Sequence, residues 1–457
     1  MQFSSVAVAA ITLFSAAPMG VFAFAPSSSS QFATKSLTTS LDAMVDTREQ
    51  APRNMQPFDG WISQCGVQRC NGFQFTSEDG LDWSVMTSEN LPAGSPVVAV
   101  PEGMILSSNK AKQELEAMDP GVQAAVKQLG MIGAAASIPE FYLTAKILLE
   151  YEREEQSPYF PWLDSLPRLY YNAVSMTDFC YECLPPLVFR LSRDERVKFD
   201  NIFQVLKKVG ILSDRNKTDM ELVKWAFNVV HTRSMPGDNN DVKIVPLADY
   251  FNHGTETEVN FTFDAQGNCL GSASRDVPAG SPVRMSYGCP TNPSFFFAKY
   301  GFLDQTSPAT FCKIMDISKS TETENLGYTF SKMLFYKDSG GISEEVWDVV
   351  LYDKVLKTKP DIKQQFYNAH MQGDSATKQA IHNAFIMETA TRLKTHVDQF
   401  LEQLDALNNK GIGKDLNTHP RLPLILAHND HVKVTFENVK SKLDPMVMNL
   451  ARERQLV

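Results

Sequence analysis

The chain has 457 residues, 43% apolar and 10% aromatic, which is enough to bury one large core or two smaller ones and too apolar for extended disorder. A formal net charge of −10 leaves no basic stripe for a phosphate backbone, so a nucleic-acid partner is not expected. Seven scattered cysteines make no disulfide framework and suit a reducing compartment; the pairs Cys65/Cys70 and Cys180/Cys183 lack the setting of a zinc knuckle, and no metal is expected.

Residues Val6 to Phe14 form an apolar run followed by small residues and Val21-Phe22-Ala23, with the size and cleavage chemistry of a signal peptide and too little length to span a membrane. Phe24-Ala25-Pro26 and a Ser/Thr-rich stretch come next, with Lys35 and no acid before Asp42, the composition of an organelle transit peptide. The tandem resembles the bipartite presequence of algae with secondarily acquired plastids, although Met1 to Ser5 carry no basic residue. It implies a presequence over residues 1–44 and a mature protein in the plastid stroma, with plain secretion as the alternative. No later stretch approaches the length of a membrane span, so the mature form is expected to have no membrane partner.

From about Trp61 to Pro101 short alternating segments, notably Trp83 to Met86 and Val97 to Val100, predict small strands and turns. Between Ser107 and Met235 the periodicity becomes helical. One helix starts at Pro139, another covers Asp194 to Val209, and a third is expected to be capped by Thr218 with Glu221 closing the box before Leu222, Trp225 and Val229. Strand character returns at Lys243 to Leu247, Glu258 to Phe263 and Val283 to Tyr287. Beyond Asp304 the chain reads as mostly helical, with a long apolar stripe through Ile381, Phe385, Ala390, Leu393, Val397, Phe400, Leu404 and Leu407 that marks a core-facing side.

Three stretches carry the chemistry. Trp225-Ala226-Phe227 leads to Thr232-Arg233; Val245-Pro246-Leu247-Ala248-Asp249-Tyr250-Phe251-Asn252-His253 follows; Ser286-Tyr287-Gly288 precedes Thr291-Asn292 and Lys299-Tyr300-Gly301-Phe302. In order and spacing they resemble SET-domain protein methyltransferases of the Rubisco large-subunit methyltransferase type. The stretch Ser157 to Pro167 is similar to that family's insert motif. The resemblance implies an α+β fold: a β-rich SET domain with a pseudoknot over 45–304, split by a helical insert at about 107–240, then an all-α substrate-binding domain over 305–457. It also implies an S-adenosylmethionine-dependent protein-lysine N-methyltransferase whose substrate is a stromal protein such as Rubisco large subunit.

By the same resemblance Asn252, His253, Arg233 and Phe302 hold the cofactor, Arg233 through its carboxylate and Phe302 against adenine. Tyr287 is the catalytic tyrosine, and Asp249, Tyr287 and Tyr300 line the channel for the substrate lysine. Such chemistry asks chiefly for alignment and for a dry channel that favours a free amine. The family's Gly-x-Gly loop is altered here. Counting back from Val100-Pro101 puts its glycines at Asp82 and Ser84, and Ser84 is expected at the cofactor. That change sustains a rival reading, a SET fold kept as a protein-binding module without catalysis. A further alternative is a protein-histidine methyltransferase of the same fold.

Overall fold

The computed structural model describes residues 44–455 apart from 289, 290 and 292; the expected presequence lies outside the described residues but for Met44. The first element is a helix, Met55–Gln64, which carries Trp61 and buries Met55, Phe58 and Ile62. Small antiparallel sheets follow. Gln68–Arg69, Pro96–Val100, Cys269–Ala273 and Val259–Phe263 form one sheet in that order. Ser281–Pro282, Ser84–Thr87 and Phe73–Thr76 form a second, and Leu106–Ser107, Val242–Ile244 and Ser234–Pro236 a third. Strands from both sides of the helical insert thus pair with each other, for example Val100 with Cys269 and Leu106 with Ile244.

The insert packs its helices on the same core. Ile138–Glu152 buries Phe141, Leu143, Ile147 and Leu148, and Pro186–Leu206 buries Phe199 and Ile202. The helix Met220–Arg233 is capped by Asp219, whose carboxylate accepts from the N–H groups of Glu221 and Leu222. Thr218 instead ends the preceding short helix Asp214–Thr218, so the expected cap lies one residue early. Val283 to Tyr287, expected as a strand, is extended but bonds to several different segments: Val283 N–H to Val85 O, Met285 N–H to Asn252 O, and Arg284 O from Glu258 and Val259. Its one bridge to the 249–254 segment is parallel, His253 to Met285.

Past Asp304 a second core gathers Phe311, Phe335, Leu393, Val397, Phe400 and Phe436. The helix Ser375–Gly411 buries one side through Ile381, Ala390, Leu393, Val397, Phe400 and Leu404, as the stripe requires, and packs against Leu422–Gln455. This region is entered through a two-stranded ladder, Ala309–Phe311 with Leu334–Tyr336, which an all-α expectation did not include. A third, smaller cluster joins Phe297 to Met176, Leu184, Leu422 and Ile425, so the two cores belong to one compact unit, 40–457.

Candidate active site

The turn that opens the second motif is tight. Leu247 adopts φ +79, a conformation costly for a branched side chain, and Asp249 N–H closes on Val245 O at 3.0 Å. The following residues Asp249 and Tyr250 are thereby turned into the protein, both with buried side chains. The third motif ends in a comparable device. The helix Pro293–Tyr300 stops at Gly301, whose φ of +78 and N–H bonds to Phe296 O and Phe297 O form a left-handed C-terminal cap. A Cβ at Gly301 would lie 2.3 Å from the backbone nitrogen of Asn172, so glycine alone lets the 170–172 loop approach.

These turns bring the motif residues around one cavity of about 480 Å³. Arg233, Asp249, Asn252, His253, Tyr287, Tyr300 and Phe302 all line it. Ser84 does not. It lies in the strand Ser84–Thr87, paired with Thr76, while Asp79, Leu81, Asp82 and Trp83 reach the cavity. The loop register is therefore earlier than the count from Val100-Pro101 suggested. Gly80 takes φ +74 in a turn that Asp79 holds by accepting from the N–H groups of Leu81 and Asp82, and Asp82 stands at the cavity mouth.

An aromatic wall forms one side. The ring of Tyr287 is 4.8 Å from that of Tyr300, and Phe302 stacks on Phe296 at 5.6 Å, with the His253 ring 5.7 Å from Phe302. The Tyr287 hydroxyl donates to Phe251 O at 2.8 Å. Burial pushes both phenols up, Tyr300 to about 12 and Tyr287 further, so neither is an anion near neutral pH.

The opposite side is cationic. Arg233 Nη1 donates to Asp249 O at 2.7 Å and to Asp249 Oδ2 at 3.0 Å, and Trp162 Nε1 donates to the same Oδ2 at 3.1 Å. Burial works against the Arg233 guanidinium, but Asp249 together with the Tyr170, Tyr250 and Tyr287 hydroxyls outweighs it, and the side chain stays charged. Its Nε is buried without a hydrogen-bond partner among the described residues. Arg53, which no motif singled out, lies beside it. Both guanidiniums sit over the Tyr250 ring, at 5.6 Å for Arg53 and 5.2 Å for Arg233. Arg53 donates to Ser165 O and Leu81 O, and Tyr250 donates to Ser165 Oγ at 2.7 Å. The insert stretch thus braces the site from behind, with Trp225 Nε1 donating to Pro167 O at 3.0 Å. The rim is closed by Glu49, held by Arg421, whose Nε also donates to Tyr170 O at 2.9 Å.

Residues 82–288 match the family model for the SET domain. No curated protein matches the sequence. Among solved structures, the SET domain of LSMT bound to lysine and AdoHcy superposes with a TM-score of 0.58 at 12% identity, covering 87% of this chain and 93% of that one. Rubisco LSMT bound to AdoMet gives 0.56 at 13% identity, covering 88% and 94%, and Rubisco LSMT bound to sinefungin and monomethyllysine gives 0.55 at 13%, covering 87% and 93%. At such low identity the likeness is one of fold, and it extends beyond the matched domain into the helical C-terminal region. The chain thus has a SET-domain fold over the region that matches the family model, in an architecture shared with Rubisco LSMT.

Proposed function

We propose that the chain is an S-adenosylmethionine-dependent protein-lysine N-methyltransferase acting on a non-histone protein. The observation that carries this reading is the convergence of Arg233, Asn252, His253, Tyr287, Tyr300 and Phe302 on one cavity of a SET domain. The cavity suits the cofactor in size and in kind: flat rings for a base, and a buried guanidinium with an unpaired Nε for a carboxylate. S-adenosylmethionine supplies an electrophilic methyl group on a sulfonium. Arg233, Asn252 and His253 would hold it, and Phe302 would lie against its adenine. Asp249 fixes Arg233 and borders the lysine channel. Tyr287 and Tyr300, as neutral phenols, orient the incoming amine by hydrogen bonding and do not act as bases. Their dry surroundings favour the amine over the ammonium. Ser84 supports the loop from the strand behind Trp83.

The substrate is a plastid stromal protein, with Rubisco large subunit as the first to test. The presequence composition supports that address, and the helical region beyond Asp304 serves as the docking domain. A second reading, a SET fold kept as a binding module, draws on one feature: Asp82 places a carboxylate at the cavity mouth. Calorimetry with S-adenosylmethionine on the protein from residue 45 onward separates the two. The expected result is micromolar binding, about −8 kcal/mol, abolished by Asn252→Ala and spared by Tyr287→Phe. Tyr287→Phe should still lower methyl transfer about a hundredfold, and mass mapping of the product should place the methyl on lysine and not histidine. No binding at millimolar cofactor would favour the module.

A further inference from the structure

The imidazole of His253 stands between two groups that each address one ring nitrogen. Its Nδ1 accepts the backbone N–H of Tyr287 at 3.1 Å. In a neutral ring that bond leaves the proton on Nε2. Nε2 faces Asp304, whose Oδ2 is 3.5 Å away. The separation is too long for a good hydrogen bond. It is nevertheless short enough for a carboxylate to attract an N–H dipole strongly, because both side chains are withdrawn from solvent, 4% and 8% exposed.

Asp304 is itself fixed. Its Oδ1 accepts from Thr306 N–H at 3.0 Å and Thr306 Oγ at 2.6 Å, and its Oδ2 from Thr255 Oγ at 2.8 Å. On the far side of the imidazole, Tyr287 is held at both ends, by its N–H on His253 and its hydroxyl on Phe251 O. The rings of Phe296 and Phe302, at 4.4 and 5.7 Å, cover the rest of His253.

We infer that Asp304 is a positioning residue for Tyr287, acting through His253: it holds the imidazole as the Nε2–H tautomer, so that Nδ1 keeps the Tyr287 amide and the phenol keeps its place in the cavity. The effect on rate rests on the methyltransferase reading; the tautomer does not. The charged neighbours agree with it. Burial lowers the His253 pKa, Asp304 opposes, and Arg284 adds to the lowering; the net direction is down, which keeps the ring neutral near neutral pH. Arg284 is turned away onto Glu258, with Nε to Oε2 at 3.0 Å. From the helix Leu422–Gln455, His431 faces Asp304 and is itself lowered by burial. Acid places a proton on His253 Nδ1, against the Tyr287 N–H, and breaks the relay.

The test is long-range proton–nitrogen NMR of the full chain labelled at histidine, with His253 assigned by its loss in His253→Gln. The wild type and Asp304→Asn, which keeps an acceptor oxygen, should show a single Nε2–H tautomer near neutral pH, and Asp304→Ala a mixture. In Asp304→Ala, kcat should fall about tenfold with KM for cofactor little changed, and in Asp304→Asn by no more than about twofold. Removing the carboxylate charge in Asp304→Asn should also shift the His253 titration, and with it the acid limb of the rate profile, to lower pH. An Nδ1–H tautomer or an imidazolium in the wild type would overturn the inference. So would a pure Nε2–H tautomer in Asp304→Ala or, if that variant does not fold, an unmoved His253 titration in Asp304→Asn. A chain without methyl transfer whose tautomers behave as stated would overturn the proposed function alone.

Discussion

Two clusters of this molecule take cationic side chains out of water, and they do so in opposite ways. At the cavity, Arg233 is only 12% exposed but meets the fully buried Asp249 and remains charged. Where the helix Pro293–Tyr300 meets the C-terminal region, Lys313 is buried with Ser294 Oγ at 2.6 Å, and the same hydroxyl lies 3.3 Å from His428 Nε2. Among the described residues no carboxylate pairs with that lysine. Burial drives it down to about 7, and burial, then Lys313, drives His428 down to about 3. Burial with a counter-charge preserves a cation that a ligand can use; burial without one removes the charge.

The largest expected effect breaks the first cluster. Asp249→Asn leaves Arg233 buried without its counter-ion and should cost about 4 kcal/mol of stability in a denaturant titration, with cofactor affinity falling in parallel. Next is the hinge between the clusters, since one short helix carries Ser294 at its start and Tyr300 at its end. Gly301→Ala forces a Cβ onto the Asn172 backbone at positive φ and should cost about 3 kcal/mol, read as a lower melting temperature.

Lys313→Met sharpens the comparison with the opposite sign. Because the folded-state pKa of Lys313 is below its ordinary value of 10.5, the unfolded chain binds the extra proton between about pH 7 and 10.5, so stability rises with pH across that window and is flat below it. The methionine variant should be more stable at pH 7 by about 2 kcal/mol, and melting curves should lose the alkaline rise. The smallest effect is Asp82→Gly, which removes a carboxylate from the cavity mouth and should tighten cofactor binding about threefold, roughly 0.6 kcal/mol, by calorimetry.

The first cluster was largely legible in the sequence. Asp249, Asn252, His253, Tyr287, Tyr300 and Phe302 lie in short contiguous stretches whose backbone turns fix where each side chain goes, and with Arg233 they meet around one cavity. Arg53 was not legible, because only the fold brings it over Tyr250 and no local pattern marks it. Ser84 was misplaced because a count back from Val100-Pro101 gives a sequence distance only, and does not show that the chain leaves the cavity where the strand Ser84–Thr87 begins. The extended run Val283 to Tyr287 has strand composition but divides its hydrogen bonds among three segments, and pairing of that kind is not encoded locally. Asp304 left a faint trace, standing two residues beyond Phe302, but its role depends on a ring nitrogen that sequence cannot orient.

The bond from Arg421 to Glu49 bears on the order in which the protein is made. The two partners are 372 residues apart, and the arginine that holds Glu49 at the cavity rim is made after every motif residue. The SET strands can pair while translation continues, but a contact of that separation waits until the chain has been made past Arg421. The rim, and with it the finished binding cavity, therefore forms after the SET strands, so that a nascent chain carrying every motif residue is still without a closed site.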